Sequence, residues 1–188
     1  MLTENEKILS ECQKNLARGR SVATGIGMFT VIYNYNGELL LRRRLEKDSL
    51  FGQDLSGKWE MIGGGVELPH FTSKIGPESF SKYQQAIFAC LTQELDEEAG
   101  LKLLNLPQPL ALIPAWLWKE NKDAEQITID LAFSVPIPID GGYLKETKEF
   151  TKKIERGELM FVPRQKLLDI EIISPRTRFL IEEALSSF

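Results

Sequence analysis

Residues 23–44, ATGIGMFTVIYNYNGELLLRRR, set an Asn36-Gly37 pair between two apolar runs. Tight hairpin turns need positive φ at their central positions, which Asn and Gly tolerate, and the β-branched and aromatic flanks suit strands. Any fold for this chain must therefore contain an antiparallel hairpin near its start. Further strands follow. KWEMIGGGVE (residues 58–67) reads as a short strand running into three glycines, which permit close backbone approaches. LALIPAWLW (110–118), QITIDLAFSVPI (126–137) and GELMFV (157–162) read as strands as well.

Helical periodicity appears in three places. Residues 3–18 carry Ile8, Leu9, Cys12 and Leu16 at near-helical spacing, and Gly19 is a reasonable stop. From about Glu78 to Ala99, Phe80, Ile87, Phe88, Leu91 and Leu95 form an apolar stripe, with Gly100 suited to the position after the helix. Pro175 opens a last helix with Leu180, Ile181 and Leu185 inward. Residues 68–77, punctuated by Pro69, Gly76 and Pro77, read as a loop. The order helix, strands, helix, strands, helix predicts an α+β fold in layers around a mixed β-sheet. We divide the chain into a helical extension at 1–20 and one domain at 21–188.

Composition narrows the chemistry. The 188 residues carry a net charge of −4, so no broad basic field points to nucleic acid or a membrane surface. No stretch approaches the ~20 apolar residues of a membrane span. Two cysteines far apart, Cys12 and Cys90, suit a reducing compartment, and the acidic start lacks the pattern of a secretion signal; the expected location is cytoplasmic. With His70 the single histidine, an imidazole-built metal site or a Ser-His-Asp triad is disfavoured. A bound metal would need oxygen ligands.

Such ligands are crowded into QELDEEAG, residues 93–100. On a helix Glu94, Glu97 and Glu98 fall within an arc of roughly 100°. Each has a like-charged neighbour three or four residues away, and all face the negative end of the macrodipole. Local stability would favour lysines there. Glu94 sits at the edge of the apolar stripe and Glu98 continues its line, so both belong at the rim of the core, while Asp96 points towards water. Hard oxygens at a rim suit Mg2+ or Mn2+, which keep several waters and take further ligands from substrate phosphates. A solvated acidic face is the plainer reading of the same letters.

GGGVE before the helix and QELDEEAGL at its end resemble the box of the Nudix hydrolases. That box runs Gly, five residues, Glu, seven residues, then Arg-Glu-apolar-any-Glu-Glu-any-Gly-apolar. Gly64, Glu94, Leu95, Glu97, Glu98, Gly100 and Leu101 match it in order, and the likeness extends over about residues 22–187. It implies a Nudix-like α/β/α sandwich. Three departures stand out. Gln93 occupies the arginine position beside Glu97, where it donates a hydrogen bond without charge. Gly64 and Gln93 are 29 positions apart where the box has 14, an insertion of 15. The first box Glu has no clear equivalent, since Gln85 holds the place and Glu78 lies two turns earlier.

The resemblance implies a metal-dependent hydrolase that cleaves a nucleoside diphosphate linked to another moiety, such as ADP-ribose, a nucleotide sugar or a dinucleotide. On this basis Glu97 and Glu98 are metal ligands, Glu94 is a third ligand or the base, and the Gly64 carbonyl is a fourth contact. Arg42 and Arg44, on one face of a strand, are expected to reach substrate phosphates. KETKEFTKKIERGE (145–158) reads first as a solvated loop, and its Glu146, Glu149, Glu155 and Glu158 are candidates for a base outside the box. Trp59, Trp116 and Trp118 are read as packing residues before base-stacking ones. The expected partner is a small-molecule nucleotide, with a homodimer left open. The competing reading is a catalytically weak Nudix-like module that binds a nucleotide without cleaving it, motivated by Gln93 and the missing first glutamate.

Overall fold

The computed structural model describes residues 24–45, 56–66, 79–106, 113–121, 126–167, 169–170, 178 and 180–182. The expected N-terminal helix with Cys12, the loop with His70, Glu78 and Pro175 lie outside these residues. So do the side chains of Trp116 and Trp118.

The hairpin forms as expected, with β1 at Thr24–Tyr33 and β2 at Leu39–Arg43. Its turn is longer than the Asn-Gly pair alone. Gly37 takes φ 73°, and the Asn34 side-chain oxygen accepts from the N–H groups of Asn36 and Glu38, both at 3.0 Å. The two strands then part: Tyr33 and Leu39 are their one described pairing. Into the wedge runs a broken strand, β3 at Trp59–Glu60 and β4 at Ile62–Gly65. It pairs first with β2 (Arg42 with Glu60, Arg43 with Trp59) and then, after Met61, with β1 (Thr30 with Ile62 through Gly27 with Gly65).

The helix α1 spans Ser79–Glu94 and continues into a wide π-helical turn, Leu95–Ala99. Gly100 ends it at φ 67°, the left-handed conformation that glycine adopts without a Cβ penalty, and its N–H reaches the carbonyls of Leu95 and Asp96. Next come β5 (Leu101–Leu103), β6 (Ile113–Asn121), β7 (Gln126–Pro138), β8 (Leu144–Glu146), helix α2 (Lys148–Glu155) and β9 (Leu159–Val162). Among the described residues the main sheet runs β3-β2-β1-β7-β6, with β4 also on β1 and β9 also on β2. Only the β1–β7 pairing is parallel, so the sheet is mixed. Strands β5 and β8 form a small antiparallel pair.

Alternation along the strands sorts two cores. Met28, Ile32, Leu40, Ile62, Val135 and Ile137 face Ile87, Leu91 and Leu95 of α1. Val31, Leu39, Leu41, Met61 and Val162 face Leu167, Leu180 and Ile181 on the other side. The sandwich is thus helix, sheet and C-terminal helical residues, as expected. Trp59 packs against the second core. No helix among the described residues is long and apolar enough to cross a membrane.

The segment read as a solvated loop departs from the sequence reading. Residues 148–155 are helical, although the local pattern buries Phe150 alone. Thr147 supplies what periodicity does not. Its hydroxyl accepts from Glu149 N–H at 3.2 Å, a helix N-cap, and donates to the Gly100 carbonyl at 2.7 Å, docking α2 on the end of the π-turn. Replacing Thr147 with Ala should lower unfolding free energy by about 1–2 kcal/mol, measured by urea denaturation.

Candidate active site

The C-terminal end of α1 lies over β4 because β4 is glycine there. A Cβ on Gly64 would collide with the Glu94 carboxylate, and one on Gly63 would strike the Met28 carbonyl across the β1–β4 ladder. Gly63 also holds φ 147°, outside the ordinary range of L residues. Its N–H donates to Glu98 Oε2 at 3.0 Å. The Cys90 thiol lies 3.9 and 3.7 Å from the carbonyl oxygens of Gly64 and Gly65, lining the same glycine track.

Glu94 and Glu98 stand one turn apart on the same face, both half-buried. Leu95 and Ala99 beneath them are fully buried, which fixes the turn against the core. Glu97 is exposed instead, and Gln93 Nε2 donates to its Oε1 at 3.0 Å. The i,i+4 partnership read from the sequence is therefore present, but on the outer side of the helix. Gln93 and Glu97 border an open groove there, whose floor includes Phe88 and Leu103.

Positive charge reaches the pair from β2. Arg42 Nη2 is 2.6 Å from Glu98 Oε1 and also pairs with Glu60 Oε1. Glu60 is 9% exposed and receives two more bonds from Arg44, from Nε at 3.2 Å and from Nη2 at 3.3 Å. Arg42 and Arg44 thus share a face, as strand alternation demands, while Arg43 turns away to donate to the Gly57 carbonyl at 3.3 Å. Buried Arg42 Nε has no hydrogen-bond partner among the described residues.

Burial raises Glu98 from an ordinary 4.5 to about 8, against the opposing pull of Arg42 and the Gly63 N–H. Burial raises Glu94 too, again opposed by Arg42 and by the hydrogen bond from Glu98. Two acids in contact in a partly dry site hold one proton between them more readily than two negative charges. Among the described residues, no group of three or more acidic, histidine or cysteine side chains converges as a ready-made metal cage. The structure therefore brings together Glu94, Glu98, Arg42, Arg44 and the Gly64 backbone, and leaves Glu97 apart from them.

Glu60 was missed from the sequence. Its role is set by cross-strand register with Arg42, and the one local signal was an acid alternating with apolar residues ahead of the glycines. Of the acids considered for a base outside the box, Glu149 and Glu158 are paired with Arg156, Glu158 also meets Lys153, and Glu146 and Glu155 are exposed.

The sequence matches no family model and no curated protein. Solved structures do match the fold. A mutT/nudix family protein from Listeria innocua aligns at 18% identity and TM-score 0.50, covering 87% of this chain and 92% of that one. A NUDIX hydrolase from Nitrosomonas europaea aligns at 13% identity and TM-score 0.50, covering 87% of this chain and 90% of the other. At these identities the likeness concerns architecture. The chain has the Nudix fold.

A carboxyl whose folded-state pKa is raised stabilises the fold below its ordinary value and loses that contribution as pH climbs through the raised one. In EDTA, the melting temperature of the wild type should therefore fall relative to Glu98→Gln between about pH 5 and pH 9. A difference between the two proteins that stays constant across that range would contradict the burial argument.

Proposed function

We propose that the chain is a hydrolase that uses Mg2+ or Mn2+ to cleave the diphosphate of a nucleoside diphosphate linked to another moiety, with ADP-ribose, nucleotide sugars and dinucleotides as the substrate class. The observation that carries this reading is the Glu94–Glu98 pair held against a glycine track, with the guanidinium groups of Arg42 and Arg44 on the same face. The donor chemistry fits a divalent cation. Mg2+ is commonly held by one or two carboxylates, its remaining positions filled by waters and substrate phosphates, so a pair of acids suffices without a third. Arg42 against Glu98 already marks the pair as a seat for positive charge.

Glu94 and Glu98 would hold the cation, with the Gly64 carbonyl beside them; Glu97, expected as a ligand from the sequence, faces the outer side of the turn with Gln93 and would have to swing inward to join them. Bound there, the ion supplies charge neutralisation and Lewis acidity towards the diphosphate oxygens. Arg42 and Arg44 donate N–H groups to phosphate oxygens, for which guanidinium geometry is well matched. Where Glu94 is not itself a ligand, its carboxylate oxygen would take the proton from the attacking water. The protein contributes mainly positioning and fixed charge, which is most of what phosphoryl chemistry asks.

A second reading keeps the binding and drops the cleavage. Its support is Gln93, which gives Glu97 a neutral partner, and the exposed position of Glu97 away from the pair.

One assay separates the two. Release of AMP from ADP-ribose and from NADH should require Mg2+ or Mn2+, and Glu98→Gln should lower kcat/KM by about 100-fold, close to 3 kcal/mol of transition-state stabilisation. Unchanged turnover in a Glu94→Gln, Glu98→Gln double variant would remove the site assignment. Nucleotide binding without any release favours the non-cleaving module.

A further inference from the structure

A helix end that gathers acids has to find its counter-charge somewhere, and here the helix itself offers none. Neither α1 nor its π-turn carries a basic residue in its last turn, and Gln93 is neutral. The charge comes across from β2, through a single atom that serves two masters. Arg42 Nη2 pairs with both Glu60 and Glu98. Glu60 does not depend on it, because Arg44 already meets both of its oxygens through Nε and Nη2. Arg42 is also incompletely satisfied where it sits, since its buried Nε has no acceptor among the described residues. A buried donor left without an acceptor opposes the arrangement, so the contact with Glu98 is held at some expense.

We propose that Arg42 is an exchangeable counterion, which competes with a divalent cation for Glu98 and, once displaced, offers its N–H groups to the substrate diphosphate. The inference rests on the metal-dependent reading above and deepens it. Displaced from Glu98, Arg42 still has Glu60 to keep its side chain on the site's face, and Arg44 remains alongside. The metal-free site then stays nearly neutral, whereas the loaded site presents a cation and an unengaged guanidinium to the same anion. Two charges that exclude each other at Glu98 become partners at the diphosphate. Arg42 thereby links metal and substrate in one direction of loading.

This arrangement separates from a merely structural role, because the two affinities move in opposite directions. In the full-length protein without nucleotide, Arg42→Gln should bind Mn2+ more tightly than wild type by about threefold or more, followed by the electron paramagnetic resonance of free Mn2+. In the presence of Mn2+, the same variant should bind α,β-methylene-ADP about tenfold more weakly by calorimetry. Arg42→Lys, which keeps the charge, should bind Mn2+ as wild type does. A second route leaves Arg42 in place: in EDTA, Glu98→Gln should bind α,β-methylene-ADP several-fold more tightly than wild type, because the guanidinium is released.

Equal or weaker Mn2+ binding by Arg42→Gln, or no gain by Glu98→Gln, overturns the exchange. If Mn2+ binds the wild type and is lost in Glu98→Gln, that failure leaves the hydrolase reading intact. If Mn2+ binds none of the proteins, both fall together.

Discussion

The approach of a helix end to a bare strip of sheet backbone is the contact on which the rest of this molecule turns. Side chains normally hold a helix away from the backbone of the sheet it covers. At Gly63 and Gly64 there are none, so Glu94 lies against the strand and Glu98 takes an N–H from it. Three things follow from that proximity. The carboxyls are partly stripped of water, which raises their pKa. The turn that carries them is held by the buried Leu95 and Ala99 and by Gly100. Among the described residues the charge they need arrives from the strand next door, which is why Arg42 and Glu60 belong to the site.

These groups are also a local burden on the fold. A partly buried acid with a raised pKa and a guanidinium with an unpaired nitrogen each oppose folding at neutral pH. The core offsets them. Ile87, Leu91 and Leu95 are fully buried on one face of the sheet, and Leu39, Leu41 and Val162 are nearly so on the other. Strain concentrated beside a glycine track, on a frame that is otherwise regular, fits a site in which charges are meant to be exchanged rather than to rest.

Much of the frame could be read from letters because its signals are local. Asn36-Gly37 between apolar runs makes a hairpin, and Ile87, Leu91 and Leu95 make one buried helix face. The same periodicity put Glu94 and Glu98 at the rim of the core, where the structure has them. What escaped the reading depends on distant partners. Three-residue strands such as Leu101–Leu103 carry no pattern of their own and pair with residues more than forty positions away. Helix α2 lacks an apolar stripe and owes its start to Thr147, whose other bond reaches Gly100. The π-turn differs from an α-turn by the choice of carbonyl for a few N–H groups, a choice that no residue type announces. Glu60 becomes meaningful only when register sets it against Arg42.

Met61 marks the point at which one short run of chain leaves β2 and joins β1. On one side of that crossing stands the acid that steadies the arginines; three residues on lies the backbone that receives the helix. Anion-facing and cation-facing halves of the site are therefore ruled from the same few links of polypeptide. A slip of pairing by a single residue would put Glu60 on the opposite face and, in one direction, set Ile62 where Gly63 passes the Met28 carbonyl. Evolutionary tinkering with loops around such a centre can be generous, whereas insertions or deletions between Trp59 and Gly65 would be felt by both halves at once.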